Sequence, residues 1–551
     1  MPITLKLITR SPVHIGSGHE LESFEYIIHD GFFWRLDIDR VTAFLLDEIG
    51  EESIEQFASW IERNTERLAN ARDNRTQSEI RRSLTLRTFV RNELGRPDVD
   101  ARLLQQLSEL SRYAMRTPFS EFRQLVREQL KDPDGRLYIP GSSLKGALRT
   151  CLLYQVLVEA DERNLQRWLE RMRAALPAAG KRLGGRDRVF FARWLEQEIF
   201  YCGLKKKEKV SWKDAQFDLL KFLKVSDSVP VAADEGGVVT DVQILLPGSN
   251  PQPQAPPVEA LEADVELSMS VSFDVSFFRA ATDLLKQGAQ GMGTEIWIGL
   301  PEKFQRLYGF SLEEAAAMAP EELERRLLER VRTAARNFAR ALKTFEKEWC
   351  RRAERGSTLQ ISRRLQRFYD EMPEDMLRLG WGSGFAAATV YLALREKPAW
   401  QETLEDLLYR LFSLKEREDL LQTFPTSRRM ALDGEGAMIA EPMGWVELEW
   451  PWPASEAEAT AEEEEAAEDD SDLWLDEIGP KSQDIVAEVV DNSRSPFTIR
   501  VFVRGLENER FPCGGANHRV LEVGQRIRVQ VAQWNKKEGR PAMFRVQSIR
   551  V

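Results

Sequence analysis

Three glycine-bearing stretches in this chain have the residue types and spacing to meet a phosphate group. In Ser11-Pro-Val-His-Ile-Gly-Ser-Gly18, Gly16 and Gly18 flank Ser17 directly after a strand-like run, so backbone amides can approach a ligand closely. A tight turn without a ligand explains the same residues. In YIPGSSLKGALRT, residues 138 to 150, a Pro-Gly turn enters a helix that Ser142 or Ser143 is expected to cap. Its first amides then point outward, with Lys145 in the first turn and Arg149 one turn later on the same face, an arrangement suited to a phosphate backbone. A capped helix with two surface cations is the alternative, and the stretch is not a Walker A loop because GxxxxGK[ST] is absent. The third stretch, Leu379-Gly-Trp-Gly-Ser-Gly-Phe385, places Gly380, Gly382, Ser383 and Gly384 ahead of an alanine-rich helix expected over Ala386 to Leu394. It reads as a nucleotide loop, a strand-to-helix turn, or a surface past which a nucleic-acid backbone runs. No ribose-binding acid follows at a suitable spacing, so no dinucleotide cofactor is expected.

Groups that could move protons are few. The chain has four histidines, of which His14, His19 and His29 cluster near the N-terminus. His14 with Lys145 would be a metal-independent acid–base pair for RNA cleavage, and Asp30, Asp37 or Asp39 could orient a hydroxyl or hold a metal. The plainer reading makes Asp37 and Asp39 the polar side of a strand and the histidines structural. No catalytic residue, metal or cofactor is therefore expected.

The elements that must position these groups follow an α+β pattern. Strand-like runs over Ile3 to Thr9, Glu25 to His29, Phe32 to Ile38 and Glu262 to Val275 alternate with helix-length segments. Leu323, Leu327, Val331, Ala335, Phe338, Leu342, Phe345 and Trp349 recur at helical spacing and predict one long core helix. Its other faces carry Arg325, Arg326, Arg330, Arg332, Arg336 and Arg340, either a solvated face or an RNA track. Near the C-terminus Ile499, Val501 and Val503 alternate with Arg500, Phe502 and Arg504, and Ile527, Val529 and Val531 alternate with Arg526, Arg528 and Gln530. Period two predicts half-buried strands, and with Asp484 to Val490 and Met543 to Val551 they suit a small closed OB-like barrel. Phe502 between two arginines on the outward face, with Arg526 and Arg528, is read as a nucleic-acid face, a protein-docking barrel being the alternative.

A length of 551 residues calls for several cores. The net charge of −12 is unevenly placed: residues 456 to 477 hold 12 acidic residues and no basic one, while 480 to 551 and 181 to 224 are each locally basic. The acidic run is expected to be a self-repelling linker, and the proline-rich Pro247 to Pro257 a loop. It is read as a solvated connection, or else as a segment that docks on a basic partner or competes with RNA. Cys151, Cys202, Cys350 and Cys513 lie far apart with no CxxC and are taken as packing residues. No apolar run is long enough for a membrane span, and the opening MPITLKLITRSPVHIG lacks the features of an export signal, so a cytoplasmic location is expected.

SPVHIGSG (11 to 18), YIPGSSLKGALRT (138 to 150), FLKVSDSVP (222 to 230) and RLGWGSGF (378 to 385) together resemble the RAMP superfamily of CRISPR RNA-binding proteins. Within it they are most similar to the fifth-subunit family of the Csm effector complexes of type III-A systems, over residues 1 to 445. The resemblance implies tandem ferredoxin-like modules with large helical insertions, divided as 1–137 and 138–450, before the acidic linker 451–479 and the barrel 480–551. It further implies a non-catalytic subunit that binds the guide RNA (crRNA) near its 3′ end, caps the filament of backbone subunits, and assists guide maturation in antiviral defence. A metal-independent RAMP endoribonuclease is the alternative. The guide-contacting loops would fall on His14, Gly16, Ser17 and Gly18, on Ser142, Ser143, Lys145 and Arg149, and on Gly380, Gly382, Ser383 and Gly384. Asp227 and Ser228 match the family's Ser-Asp-Ser element, either as a carboxylate capping amides or at the RNA. The implied partners are guide RNA and other Csm-type RAMP subunits, with target RNA and a recruited processing nuclease further ones. The linker and barrel lie outside the family's pattern.

Overall fold

The computed structural model describes residues 2–175, 193–206, 209–211, 217–249, 255–289, 295–412, 420–432, 440–452, 475, 478–493, 496–504, 506, 509–515, 521, 525–535 and 540–548. Most of the expected acidic linker, part of the basic stretch 181–224 and the middle of Pro247 to Pro257 lie outside them. The chain divides into two compact units, Met1–Pro451 and Trp452–Val551.

Leu5 and the run Leu7 to Thr9 are buried in the strand Ile3–Thr9, which lies at the heart of a five-stranded antiparallel sheet. Its neighbours are Glu266–Phe273 on one side and Trp445–Glu449 on the other; Leu223–Val225 and Met376–Arg378 form the edges. Two helices complete the unit: Gly141–Val158 between the first and second of these strands in sequence, and Pro320–Ala353 after Glu266–Phe273. With Met376–Arg378 set aside, the order is that of a ferredoxin-like βαββαβ module, drawn from both ends of the unit. Residues on either side of position 137 also share the second, seven-stranded mixed sheet, so the expected segments 1–137 and 138–450 interleave within one body.

The long helix forms as its spacing predicts, and all eight residues from Leu323 to Trp349 in that pattern are buried. Of its arginines, Arg325 and Arg326 are exposed, as a solvated face would have them, while the other four are engaged by carboxylates. Arg332 and Arg336 are buried and both pair with Asp375, Arg330 pairs with Glu159, and Arg340 reaches Glu374. The expected strand through Ile38 ends at Leu36, because Asp37 accepts from the amides of Asp39 and Arg40 and caps the helix Ile38–Glu48. That helix and those up to Leu110 pack a separate core around Phe57, Trp60 and Phe89. All four cysteines are free and buried.

In the second unit, Ile485–Asp491, Phe497–Val501, Phe511–Gly514, Arg526–Asn535 and Arg540–Ser548 close a barrel in the order first, second, third, fifth, fourth. The third and fifth strands run parallel and the other neighbours antiparallel. Ile499, Val501, Val503, Ile527 and Val529 point into its core, as their alternation predicts.

Candidate nucleic-acid interface

Two of the three glycine stretches meet. The Trp381 amide donates to the His14 carbonyl at 2.8 Å. Gly380, at φ +74°, permits this approach, since a Cβ there would lie 2.2 Å from the same carbonyl oxygen. Gly18 and Gly384 face open space. The Ser383 hydroxyl donates to the Gly380 carbonyl at 2.9 Å and closes its own turn. The alanine-rich segment beyond is two short helices, Gly384–Ala387 and Tyr391–Glu396, where one was expected.

Under this corner lies a buried polar network. Glu259, with no exposed surface, accepts from the Tyr113 hydroxyl at 2.9 Å and the Gln129 amide at 2.9 Å, and pairs with Lys131. Gln129 accepts from the Ile15 amide at 2.7 Å through its side chain, and Ser17 donates to Glu128 at 3.0 Å. Residues 14–18, the last three of which open the strand Gly16–Leu21, are thus held by Gln129 and Glu128 beneath them. On the other side Arg378 donates to the Met443 carbonyl at 2.8 Å and to Gly382 at 3.4 Å, and shares the buried Glu346 with Arg428.

His14 belongs to this support. It is 2% exposed, and its Nδ1 lies 2.6 Å from the Glu259 carbonyl, which can only accept, so that nitrogen carries the proton. Burial, then the Arg127 and Lys131 charges, lower its pKa to about 4 against the hydrogen bond's opposing effect. The imidazole is enclosed and weakly basic, so the His14 half of the expected His14–Lys145 pair does not face outward.

The side chains that do face outward here were not legible as a group. The Trp381 ring, partly exposed, lies between two guanidinium groups, Arg127 at 4.9 Å and Arg429 at 5.0 Å from its centroid, with His14 edge-on at 5.9 Å. Arg127 comes from strand Val126–Gln129 and is 3.4 Å from Glu20. Arg429 comes from strand Arg428–Leu432, where alternation buries Arg428 and turns Arg429 outward. Partial desolvation and the Arg127 charge both disfavour the Arg429 cation, so an anion placed here would relieve repulsion. Two arginines, an accessible ring and glycine backbone form a surface suited to a nucleic-acid strand.

The third stretch is engaged differently. Gly141 opens its helix after Pro140, with no side-chain cap; Ser142 and Ser143 lie inside the first turn, where a cap was expected. The Gly141 amide donates to Asp227 at 2.8 Å, and a Cβ at Gly141 would lie 2.3 Å from the Val225 carbonyl. Asp227 is therefore a cap, while the buried Ser228 accepts from the Ile139 amide at 3.0 Å. Lys145 donates to the Leu223 carbonyl at 2.7 Å, and burial lowers its pKa. Arg149 pairs with Asp218 at 2.7 Å and Glu196 at 3.3 Å beneath the Phe200 ring. Neither cation points freely outward as the helical spacing implied.

The expected barrel face is also corrected. Phe502 is 4% exposed, covered by Arg500 and Arg526 at 5.9 and 5.2 Å from its centroid, and Leu475 pairs alongside through hydrogen bonds to Phe502 and Arg504. Arg500 donates to Glu488 at 2.5 Å. Arg526 is exposed and Arg528 half-buried.

The model of the RAMP superfamily matches residues 6–387. This chain belongs to the RAMP superfamily. This RAMP protein is 22% identical over 484 residues to the protein named Csm5 of Methanocaldococcus jannaschii, covering 81% of this chain and 88% of that one. It is 31% identical over 150 residues to the Csm5 of Streptococcus thermophilus, covering 27% of this chain and 37% of that one. In fold it is similar to a chain of a cryo-EM structure of a Csm–crRNA–target RNA ternary complex of a type III-A CRISPR-Cas system, with a TM-score of 0.51 and 24% identity over 82% of this chain and 100% of that chain. No helix among the described residues of the RAMP protein is long and apolar enough to cross a membrane.

Proposed function

We propose that this RAMP protein is a non-catalytic subunit of a type III-A CRISPR effector complex that holds the backbone of a guide RNA near its 3′ end. In that role it caps the filament of related RAMP subunits and supports guide maturation. The observation that carries the reading is the corner where the strand start at His14 to Gly18 meets the glycine loop of Gly380 to Gly384 beside Trp381, Arg127 and Arg429. The similarity to Csm5 proteins supports the choice of complex. A nuclease reading has less to work with, because its best base, His14, is enclosed and made weakly basic by burial. The barrel then serves as an adapter toward a neighbouring subunit or a recruited processing enzyme, since its Phe502 is covered.

Isolation of the full chain with its neighbours, followed by nuclease digestion and sequencing of the protected RNA, tests the reading. Repeat–spacer fragments with a common 3′ boundary are expected, and loss of that boundary with Trp381→Ala. Retention of no RNA sinks it, as does cleavage by the purified chain that His14→Asn abolishes.

A further inference from the structure

Away from the glycine corner, the surface between the helical insertion and the seven-stranded sheet holds a line of arginines that no loop motif marks. Two clefts there, of about 370 and about 1340 Å3, share Arg81, Arg82, Ser120 and Glu121 and are therefore continuous. The smaller adds Arg87 and Arg91; the larger adds Arg75, Arg123 and Arg127. Arg127 is the guanidinium over Trp381, so the groove opens onto the corner described above.

We infer that this groove is a second segment of the RNA track, in which the helical insertion grips the phosphates of a single strand leaving the Trp381 corner. The inference rests on the RNA-binding reading of that corner. Seven arginines line the two clefts against four carboxylates, Glu20, Glu79, Glu121 and Asp241. Asp100 and Glu121 each hold two arginines, while Glu79, Glu20 and Glu22 take Arg75, Arg127 and Arg81 singly. Asp100, buried behind the wall, takes Arg87 at 2.9 Å and Arg91 at 3.2 Å; Glu121 takes Arg82 at 2.5 Å and Arg123 at 3.7 Å. Each such trio keeps one net positive charge and presents guanidinium edges already ordered for a phosphate. Arg87 and Arg91 reach the same carboxylate across the junction of helix Leu86–Thr88 with the π-helical turn Phe89–Glu93, a wide turn of the kind found at functional sites.

The lining also indicates what the groove does not read. Its rings, Tyr26, Phe119 and Phe122, are all buried, so it offers no stacking platform, unlike Trp381. It likewise lacks the exposed apolar anchors on which protein partners concentrate their binding energy. A phosphate strand held without regard to sequence fits this chemistry.

The test uses the full chain with fluorescent single-stranded RNA, one oligonucleotide short enough to occupy the corner alone and one long enough to enter the groove, titrated over a range of salt. Arg75 and Arg123 are 90% and 70% exposed in their side chains, so Arg75→Gln/Arg123→Gln leaves the fold intact. The expected result is weaker binding of the long RNA, with the slope of log K against log salt reduced by about 1.4 for two lost single-strand contacts, and unchanged binding of the short RNA. Arg87→Lys/Arg91→Lys, which keeps charge beside Asp100 but removes the planar forks, is expected to weaken the long RNA alone as well. If the Gln variant binds the long RNA with unaltered slope and the Lys variant binds it with unaltered affinity, while Trp381→Ala still weakens both RNAs, the groove is not a track and the corner stands. If Trp381→Ala changes neither RNA, the reading of the corner fails and the inference with it. A photocrosslinker at position 123 that captures a protein subunit in the assembled complex, and no RNA, also overturns the proposal.

Discussion

Trp381 in the body and Phe502 in the barrel are each flanked by two guanidinium groups, at 4.9 and 5.0 Å in one case and 5.9 and 5.2 Å in the other. Their surroundings differ. Around Phe502 the arginines rise from the same barrel wall, Arg500 two residues before it and Arg526 on another strand, and they fold over the ring until 4% of it is exposed. Around Trp381 they come from strands of two different sheets, and the ring sits on a glycine loop at their junction, partly open. Guanidinium groups lie over both rings, but the glycine loop leaves Trp381 partly exposed, whereas on a continuous strand face the long side chains complete the cover of Phe502.

Exchanging the two rings for alanine separates these roles, and the barrel gives the larger effect. Phe502→Ala is expected to cost the barrel roughly 3 kcal/mol, the lower end for a buried Phe because flexible arginines can partly refill the space. RNA affinity of the full chain should stay within error. Denaturant unfolding followed with a binding titration reads both quantities. An RNA defect without loss of stability would break the comparison and return the barrel to the nucleic-acid surface.

The support beneath Trp381 gives a second, pH-dependent effect. In the unfolded chain His14 titrates near its ordinary 6.5, and in the fold at about 4. Between those values the unfolded state binds the additional proton, so stability rises with pH across that window. The contribution is fully present above pH 6.5 and lost as pH falls toward 4, a difference of about 3 kcal/mol. His14→Asn keeps a donor for the Glu259 carbonyl and removes the titration. It should flatten the stability curve of the body between pH 4 and 6.5; a curve as steep as the parent's would mean that other groups dominate acid unfolding.

Local signals carried much of the fold. Period-two runs mark the strands around Ile499 and Ile527, eight apolar residues at helical spacing mark Pro320–Ala353, and Gly380 and Gly382 mark a turn that does form, whereas Gly16 and Gly18, read as a turn, lie in the strand Gly16–Leu21, whose pairing is irregular between Gly16 and Glu20. What lay beyond the sequence depends on residues far apart in it. Arg127 and Arg429 are 302 positions apart and become neighbours of one ring only because their strands end at the same junction. Asp227 caps a helix that begins 86 residues earlier, which no helix-start rule could supply. Alternation turns Phe502 out of the barrel core, yet the residue is covered there, since alternation gives the side of a strand and says nothing of what else lies over it.

Trp381→Ala ranks third: stacking is worth about 1–3 kcal/mol, so RNA should bind about 5- to 150-fold more weakly, with little change in stability. The corner needs this result. Replacement by Phe should restore most of the affinity, because a smaller ring still stacks.

The smallest effect is expected where the motif looked strongest. Lys145 and Arg149 stand in the second and third turns of a helix after a Pro-Gly turn, yet one is occupied by the Leu223 carbonyl and the other by Asp218, Glu196 and the Phe200 ring. A phosphate arriving there would have to displace bonds already made, and the Gly141 amide it would seek is held by Asp227. Lys145→Met and Arg149→Gln should therefore leave the salt slope of RNA binding unchanged, although Arg149→Gln strands Asp218 and lowers the melting temperature. Were either variant to reduce the slope by about 0.7, the amount expected for one single-strand phosphate contact, the helix start would join the RNA surface. The inner partners of Lys145 and Arg149 would then be a resting arrangement that RNA exchanges for its own phosphates, and the contrast between an open corner and a closed one would become a contrast between two steps of binding.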